Sequence, residues 1–305
     1  MRSLVLAALG PTLPAGRFLA PARTLLPRPT SRNIHAVRAG APTRKGLALL
    51  NSGPVNPLME RHAARLSEAG VAGNCTSHGA ENNLHKLGLL LEHDGSNTFG
   101  MESLLQDVGF DEAYEAVESQ IGNPPDREET PGRGCIDPVR TAAGLAEAGE
   151  RIREVAGSGG RLVFATGHPG AMILYYLGLV GWAEELGGRV LTTEARGRYQ
   201  KGVSLDWAGS VGTLGDGASL FHTHDPEPMR GVLRQTGRVD LVVADHGFAG
   251  AAIAAGIPTV VVMDTNDPAF AVVAGRGADV TVVPMDDNRP LNSYAAALEV
   301  LRGDV

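Results

Sequence analysis

The chain has 305 residues, 43% hydrophobic and 20% charged, with 40 glycines, 19 prolines, two cysteines and a formal net charge of −7. That length and apolar share are enough to bury one large core or two medium ones, which excludes disorder throughout. Cys75 and Cys135 are too few for a dense disulfide framework or a four-thiolate zinc site. No run of about 18 apolar residues is present to span a membrane.

The charge is uneven. Residues 1–45 hold eight Lys/Arg and no Asp or Glu, so the remaining 260 residues carry a net −15. So acidic a body argues against a nucleic-acid surface, where phosphates need clustered cations. The leader has no small-residue cleavage pattern and no twin arginine. It reads as a basic, disordered extension or as upstream sequence from a misassigned start, with an organellar transit peptide as the alternative. Three parts are expected: the leader over 1–45, a helical subdomain over 46–157 and a Rossmann-like domain over 158–305. The expected location is the cytoplasm.

The spacing of apolar residues predicts a helix from Pro57 to a stop at Gly70, and another from Glu81 to His93. Asp111 is expected to cap a short helix, and Asp137-Pro138 to cap and start one running to Val155. Residues 122–136 are loop by composition and form a candidate lid. After Gly157 the pattern changes to strands at 161–166, 189–193, 239–244, 259–263 and 279–283, with short strands or hairpins over 201–221. Helices are expected at 169–185, after Pro226, at 249–255, 268–275 and 293–302. Val-rich strands alternating with helices indicate an α/β fold, a mostly parallel sheet covered on both faces.

Ligands of open parallel sheets bind beyond the carboxyl ends of the strands. Four such ends carry Thr166-Gly167-His168-Pro169, His222-Thr223-His224-Asp225, Asp245-His246-Gly247 and Asp264-Thr265-Asn266-Asp267. Imidazoles and carboxylates together suit a divalent cation, with Mg or Mn expected. The candidate metal ligands are His222, His224, Asp245 and Asp264, and His168, His246 and Asp245 are the candidates for acid–base work. Asp245 and Asp264 also stand where helix caps stand, and Asp225 could cap the helix after Pro226. The Thr166-Gly167-His168-Pro169-Gly170 turn, with Thr166, Gly167 and Gly170 named, is a candidate phosphate cradle between strand and helix. Arg140, Arg230, Arg196, Arg198 and Lys201 are candidate clamps.

Several chemistries are missing. Neither G-x-G-x-x-G, a P-loop nor G-x-S-x-G occurs. Cys135 to Arg140 is C-x4-R, one residue short of a cysteine-phosphatase loop, and Asp245-His246-Gly247 has Asp where phosphohistidine phosphatases place Arg. Asp264-Thr265-Asn266 lacks a second Asp for the haloacid-dehalogenase motif. Metal-assisted hydrolysis and His-mediated acid–base catalysis remain.

Leu66–Gly73, Asn82-Asn83-Leu84, Phe99-Gly100, Ile136-Asp137-Pro138 with Arg140-Thr141, and Ala165–Pro169 form a recognisable series. It continues through His222–Pro228, Asp245–Gly247 and Asp264–Ala269. In this order over residues 56–300, the chain resembles a family of actinobacterial proteins described as phosphatases. The resemblance implies a helical N-terminal part on a Rossmann-like C-terminal part. Two departures stand out: Thr76-Ser77-His78 where the family has Thr-Ser-Arg-Glu, and Gly167-His168-Pro169-Gly170 where it has Gly-His-Pro-His. They imply altered substrate choice or phosphate binding, as in a role in secondary metabolism.

The expected function is therefore a metal-dependent phosphomonoesterase acting on a small phosphorylated metabolite, with His168 or His246 protonating the leaving alcohol. A metal-dependent isomerase or lyase with His/Asp acid–base chemistry, or a non-catalytic ligand-binding protein, is the alternative. No nucleic acid or membrane partner is expected, and a homo-oligomer is left open.

Overall fold

The computed structural model describes residues 56–73, 76–123, 132–194, 197–200 and 202–304. The leader, most of the expected lid (124–131), Arg196 and Lys201 lie outside them. Five parallel pairings and three antiparallel ones build a nine-stranded sheet. Its strands are β1 (Arg161–Ala165), β2 (Arg189–Val190), β3 (Arg198–Gln200), β4 (Val203–Ala208), β5 (Val211–Gly215), β6 (Leu220–Phe221), β7 (Leu241–Ala244), β8 (Thr259–Met263) and β9 (Val280–Pro284). The order along the sheet is β3-β4-β5-β1-β7-β8-β9, with β2 on β1 and β6 on β5. The expected α/β class with a mostly parallel sheet is what forms, and the glycine-punctuated 201–221 region is the antiparallel β4–β5–β6 run.

The helices are α1 (Pro57–Ala69), α2 (Ala80–Leu91), α3 (Gly95–Thr98), α4 (Phe110–Ile121), α5 (Pro138–Gly157), α6 (Pro169–Glu185), α7 (Glu227–Thr236), α8 (His246–Ala254), α9 (Pro268–Gly275) and α10 (Ala295–Arg302). α5, α6 and α10 pack together, with α1 against α5. α8 packs on α7, and α9 on α4 and α2. α8 and α9 are apolar on nearly every side, as helices enclosed by neighbours must be. Burying a side chain such as Leu145 or Ile152 of α5 stabilises by about 1.5–3 kcal/mol, and both are fully buried. One apolar core runs from Leu66 to Leu301, so the N-terminal helices and the sheet share it. Among the described residues no helix is long and apolar enough to cross a membrane.

Three local expectations change. The 189–193 strand pairs only through Val190, because β1 pairs with β2 over Arg161 and Leu162 and then with β5 from Phe164 onward. Asp111 does not cap: Gly109 takes that place, and Asp111 sits in the first turn where the helix dipole favours an acid. α8 begins at His246 rather than Ala249. Asp137 caps α5 as expected, its Oδ1 accepting from Val139 N at 2.9 Å.

Candidate active site

The parallel strands β1, β7, β8 and β9 deliver their following residues to one edge, where the antiparallel β6 also ends. After β1 come Thr166 and His168, after β6 His222 and His224, after β7 Asp245 and His246, after β8 Asp264 and Asp267, and after β9 Asp286 and Asp287. Five of these, Asp245, Asp264, Asp267, Asp286 and Asp287, are carboxylates with at most 3% of their surface exposed. Buried charge on this scale is costly unless neighbouring cations, hydrogen bonds or a bound ion offset it.

Asp245 occupies the N-cap position of α8 and Asp267 that of α9, yet neither side chain caps its helix. Asp245 instead accepts from Thr166 Oγ1 at 2.7 Å and from Gly167 N at 2.6 Å, and its Oδ1 lies 3.0 Å from His246 Nδ1. Asp225 accepts from Glu227 N at 2.9 Å at the start of α7, as a cap would. His246 has a φ of +45°, a sparsely populated conformation for a non-glycine residue and a form of strain that clusters at functional sites. Two glycines allow the close approach. A Cβ on Gly167 would stand 2.3 Å from Thr223 O, and one on Gly247 2.4 Å from His224 O.

His246 Nε2 faces Asp287 Oδ2 at 3.4 Å and Asp267 Oδ2 at 4.0 Å. Burial works against charge on this imidazole, but Asp245, Asp267 and Asp287 outweigh it and raise the pKa to about 10. His168 Nδ1 stands 3.3 Å from Asp287 Oδ1. Burial opposes its charge too, and the Asp287 contact still holds it above the usual range. The same contacts hold Asp287 below the carboxylate range although it is buried.

His222 and His224 behave differently. Burial, followed by the positive charge of His246, pushes His222 down to about 4 and His224 to about 3. Both are therefore neutral near pH 7, and their Nε2 atoms lie 3.1 Å apart. His224 Nδ1, 2.5 Å from the Ser96 carbonyl, must be the donor there, so its Nε2 accepts from His222. Phe99 packs against His224 and His246, with centroids 5.0 and 5.8 Å away.

The N-terminal part closes the acidic end. Backbone bridges Gly73–Ile136 and Gly79–Arg133 hold the segment carrying Ser77 and His78. His78 Nδ1 lies 2.7 Å from Asp264 Oδ2, and Ser77 donates to Asp286 through N at 2.7 Å and Oγ at 2.9 Å. Burial lifts Asp264 to about 7 with His78 opposing, and lifts Asp267 to about 6. His78 is raised chiefly by its hydrogen bond to Asp264.

Among the described residues, three groups bring their ligand atoms within 4.8 Å of one another: His168/His222/His246, His246/Asp267/Asp287 and Asp264/Asp286/Asp287. His222 and Asp264 of the expected metal set belong to such groups, in different ones. His224 and Asp245 belong to none of the three, and Asp245 instead contacts His246 Nδ1. The cradle is already engaged: Asp245 takes Gly167 N–H, and Thr166 Oγ1 takes His168 N–H at 2.9 Å. Gly170 is exposed at the start of α6. Arg230 pairs with Glu227 at 2.7 Å and donates to Gly100 O at 3.2 Å, tying α7 to the N-terminal part. Arg140 lies in the first turn of α5, its Cγ close to Gly122.

Sequence reasoning put Asp267 on the reactive edge without giving it a role, and gave none to Asp286, Asp287, Ser77, His78 or Lys86. The strand-end rule, applied to β9 as well, finds Asp286 and Asp287. His78 stood out only as a departure from the family pattern. Lys86 lines a cleft of about 440 Å³ with Ser96, His222, His224 and Asp225, and nothing in the sequence separates it from other surface lysines.

An α/β sheet with a buried His/Asp cluster at its carboxyl edge, beneath a helical cover, defines the class. Residues 59–300 match the model of a family described as Phosphatase, and the chain belongs to that family. It is 33% identical over 242 residues to Phosphatase SCO2771 of Streptomyces coelicolor, covering 77% of this chain and 91% of that relative. Membership bears out the resemblance to actinobacterial phosphatases and makes phosphate-ester hydrolysis the chemistry this site has to account for.

Proposed function

We propose that the protein is a divalent-cation-assisted phosphomonoesterase for a small phosphorylated metabolite. The observation that carries this reading is the His246/Asp267/Asp287 group, its ligand atoms mutually within 4.8 Å, beside histidines that line the open cleft. The donor set fits a cation: Asp287 Oδ2 is buried without a hydrogen-bond partner, and the Asp245 contact at Nδ1 leaves His246 Nε2 to coordinate. Mixed imidazole and carboxylate donors suit Mn or a neighbouring transition metal, and Mg is the carboxylate-favouring alternative. When bound, such an ion polarises phosphoryl oxygens and offsets the charge that develops during transfer.

The chain's own residues supply the rest. Lys86, on the cleft wall, attracts and orients the phosphate dianion. His168, stacked on His222 at 4.6 Å and partly exposed, donates a proton to the leaving alkoxide while Asp287 orients its ring. Asp245 and the β1 turn fix His246. The helical cover limits water and sets the size of the substrate.

The test is release of inorganic phosphate from a panel of phosphorylated metabolites with Mg or Mn, before and after EDTA. Turnover that EDTA abolishes and cation restores is expected. No release from any phosphoester with either metal sinks the reading. Substrate consumed without phosphate release points instead to the isomerase or lyase alternative.

A further inference from the structure

The acidic end of the cluster extends beyond what one cation needs. Asp264, Asp286 and Asp287 bring their ligand atoms within 4.8 Å of one another, and this group meets the His246/Asp267/Asp287 group at Asp287. Three buried carboxylates do not by themselves make a site, but a second observation points to a ligand. Asp287 is 2% exposed, and its Oδ2 has no hydrogen-bond partner. Among the described residues, Asp264 and Asp287 have imidazoles, not Lys or Arg, within ion-pair range, while Asp286 has Arg289 Nη1 at 4.0 Å.

The sharing of residues decides which groups fill together. His246 Nδ1 is held by Asp245, so one ring nitrogen remains. That nitrogen serves either the three-histidine group or the His246/Asp267/Asp287 group, and not both. Asp287 has two carboxylate oxygens and can serve two cations at once. The compatible pair is therefore the two groups that meet at Asp287.

We propose that Asp264, Asp286 and Asp287 bind a second divalent cation beside the one at His246, Asp267 and Asp287, with Asp287 as the shared ligand. This deepens the phosphatase reading and rests on it for its chemical purpose, since paired cations about 3.5–4 Å apart clamp the attacking and leaving oxygens of an in-line displacement. The second position offers only oxygen donors, which suits Mg or Mn. Ser77 and His78 hydrogen-bond Asp286 and Asp264, so the N-terminal segment orients ligands of the second cation without touching it. The departure from the family pattern at Thr76-Ser77-His78 falls on these orienting residues.

The test uses the full chain, stripped with chelator and reloaded with Mn(II) alone. Metal analysis is expected to give two Mn per chain, and electron paramagnetic resonance an exchange-coupled pair. Asp286→Asn should retain one Mn and lose the coupling, and Asp264→Asn should do the same if Asp286→Asn fails to fold by circular dichroism. A single Mn at saturation, two uncoupled Mn ions, or two coupled Mn in either folded variant overturns the proposal. Phosphate release is measured on the same samples. Turnover with one Mn per chain removes the paired site and leaves the phosphatase reading. A coupled pair without turnover on any phosphoester removes that reading and leaves the site.

Discussion

Asp245 grips His246 and the β1 turn with one carboxylate oxygen, Oδ1 lying 3.0 Å from His246 Nδ1 and 2.6 Å from Gly167 N. Its other oxygen accepts from Thr166 Oγ1 at 2.7 Å. The residue next to His246 in sequence thereby fixes which imidazole nitrogen faces Asp267 and Asp287. Asp245→Asn keeps the shape and places an amide donor where a carboxylate oxygen accepted. Loss of an orienting partner of this kind costs about 10–100-fold in metal affinity or activity. Titration of the stripped variant with Mn(II), alongside kcat, checks this; an unchanged affinity in a folded variant shows that Asp245 orients nothing.

His168 as proton donor makes a leaving-group prediction. His168→Ala should lower kcat by about 10²–10⁴-fold on alkyl phosphates, the usual scale of general acid catalysis. On an aryl phosphate whose phenolate leaves without protonation the loss should be far smaller. Equal losses on both substrates would assign His168 to binding or to ligation.

Stability of the metal-free protein should fall as pH rises above about 6.5. His246 is raised to about 10, so its contribution is complete below the unfolded imidazole value of about 6.5 and is lost on the way to 10. His78 and His168 are raised and act in the same direction. Asp264, at about 7, has a folded value above its unfolded one, so its contribution also fades as pH rises from about 4 through 7. Thermal melts in chelator between pH 7 and 9.5 should show a declining Tm, and added Mn(II) should reverse the decline. A flat or rising Tm contradicts the charge pattern described.

Two nearby glycines should respond differently. Gly167→Ala puts a methyl 2.3 Å from Thr223 O and 2.9 Å from His246 Cβ, so backbone must move. A loss of about 1–3 kcal/mol is expected from such overpacking, together with lower turnover. Gly170→Ala meets nothing within 4 Å at the exposed start of α6 and should leave both stability and activity near their original values. Equal effects at the two positions would mean that the Gly167 contact is not limiting.

Lys86 gives a binding prediction. Lys86→Met keeps the length of the side chain and removes the charge from the cleft wall. A hydrogen bond to a charged group is worth about 1.5–3 kcal/mol, which corresponds to a rise in KM of about 10- to 150-fold with kcat little altered. A change confined to kcat would place Lys86 in the chemical step.

The sheet and its reactive edge were legible because Val-rich runs such as Val239–Ala244 and Thr259–Met263 fit only enclosed parallel strands, and parallel strands send their following residues to one edge. That logic reached His168, Asp245, His246 and Asp264, and the same strand-end rule reached His222 although β6 runs antiparallel to β5. It did not separate Asp245 from Asp264, which have the same sequence context. What distinguishes them is which hydrogen bonds reach each carboxylate, a tertiary property. Ser77 and His78 lie between helices in a segment without periodicity, held by the Gly73–Ile136 and Gly79–Arg133 bridges. Pairings across such distances leave no local signal. The expected phosphate cradle shows the same dependence on tertiary contacts, since two of its amides, Gly167 N–H and His168 N–H, are engaged by Asp245 and by Thr166.

The Ser77–Asp286 contact joins residues 209 positions apart in sequence. A cation bound at the acidic end as proposed would therefore be thermodynamically linked to closure of the whole fold, since detaching β9 removes ligands and detaching the N-terminal segment removes the groups that orient them. An ion at 100 times its dissociation constant would add about 2.7 kcal/mol to global stability. Availability of the ion would then govern how long the protein survives proteolysis as well as how fast it turns over.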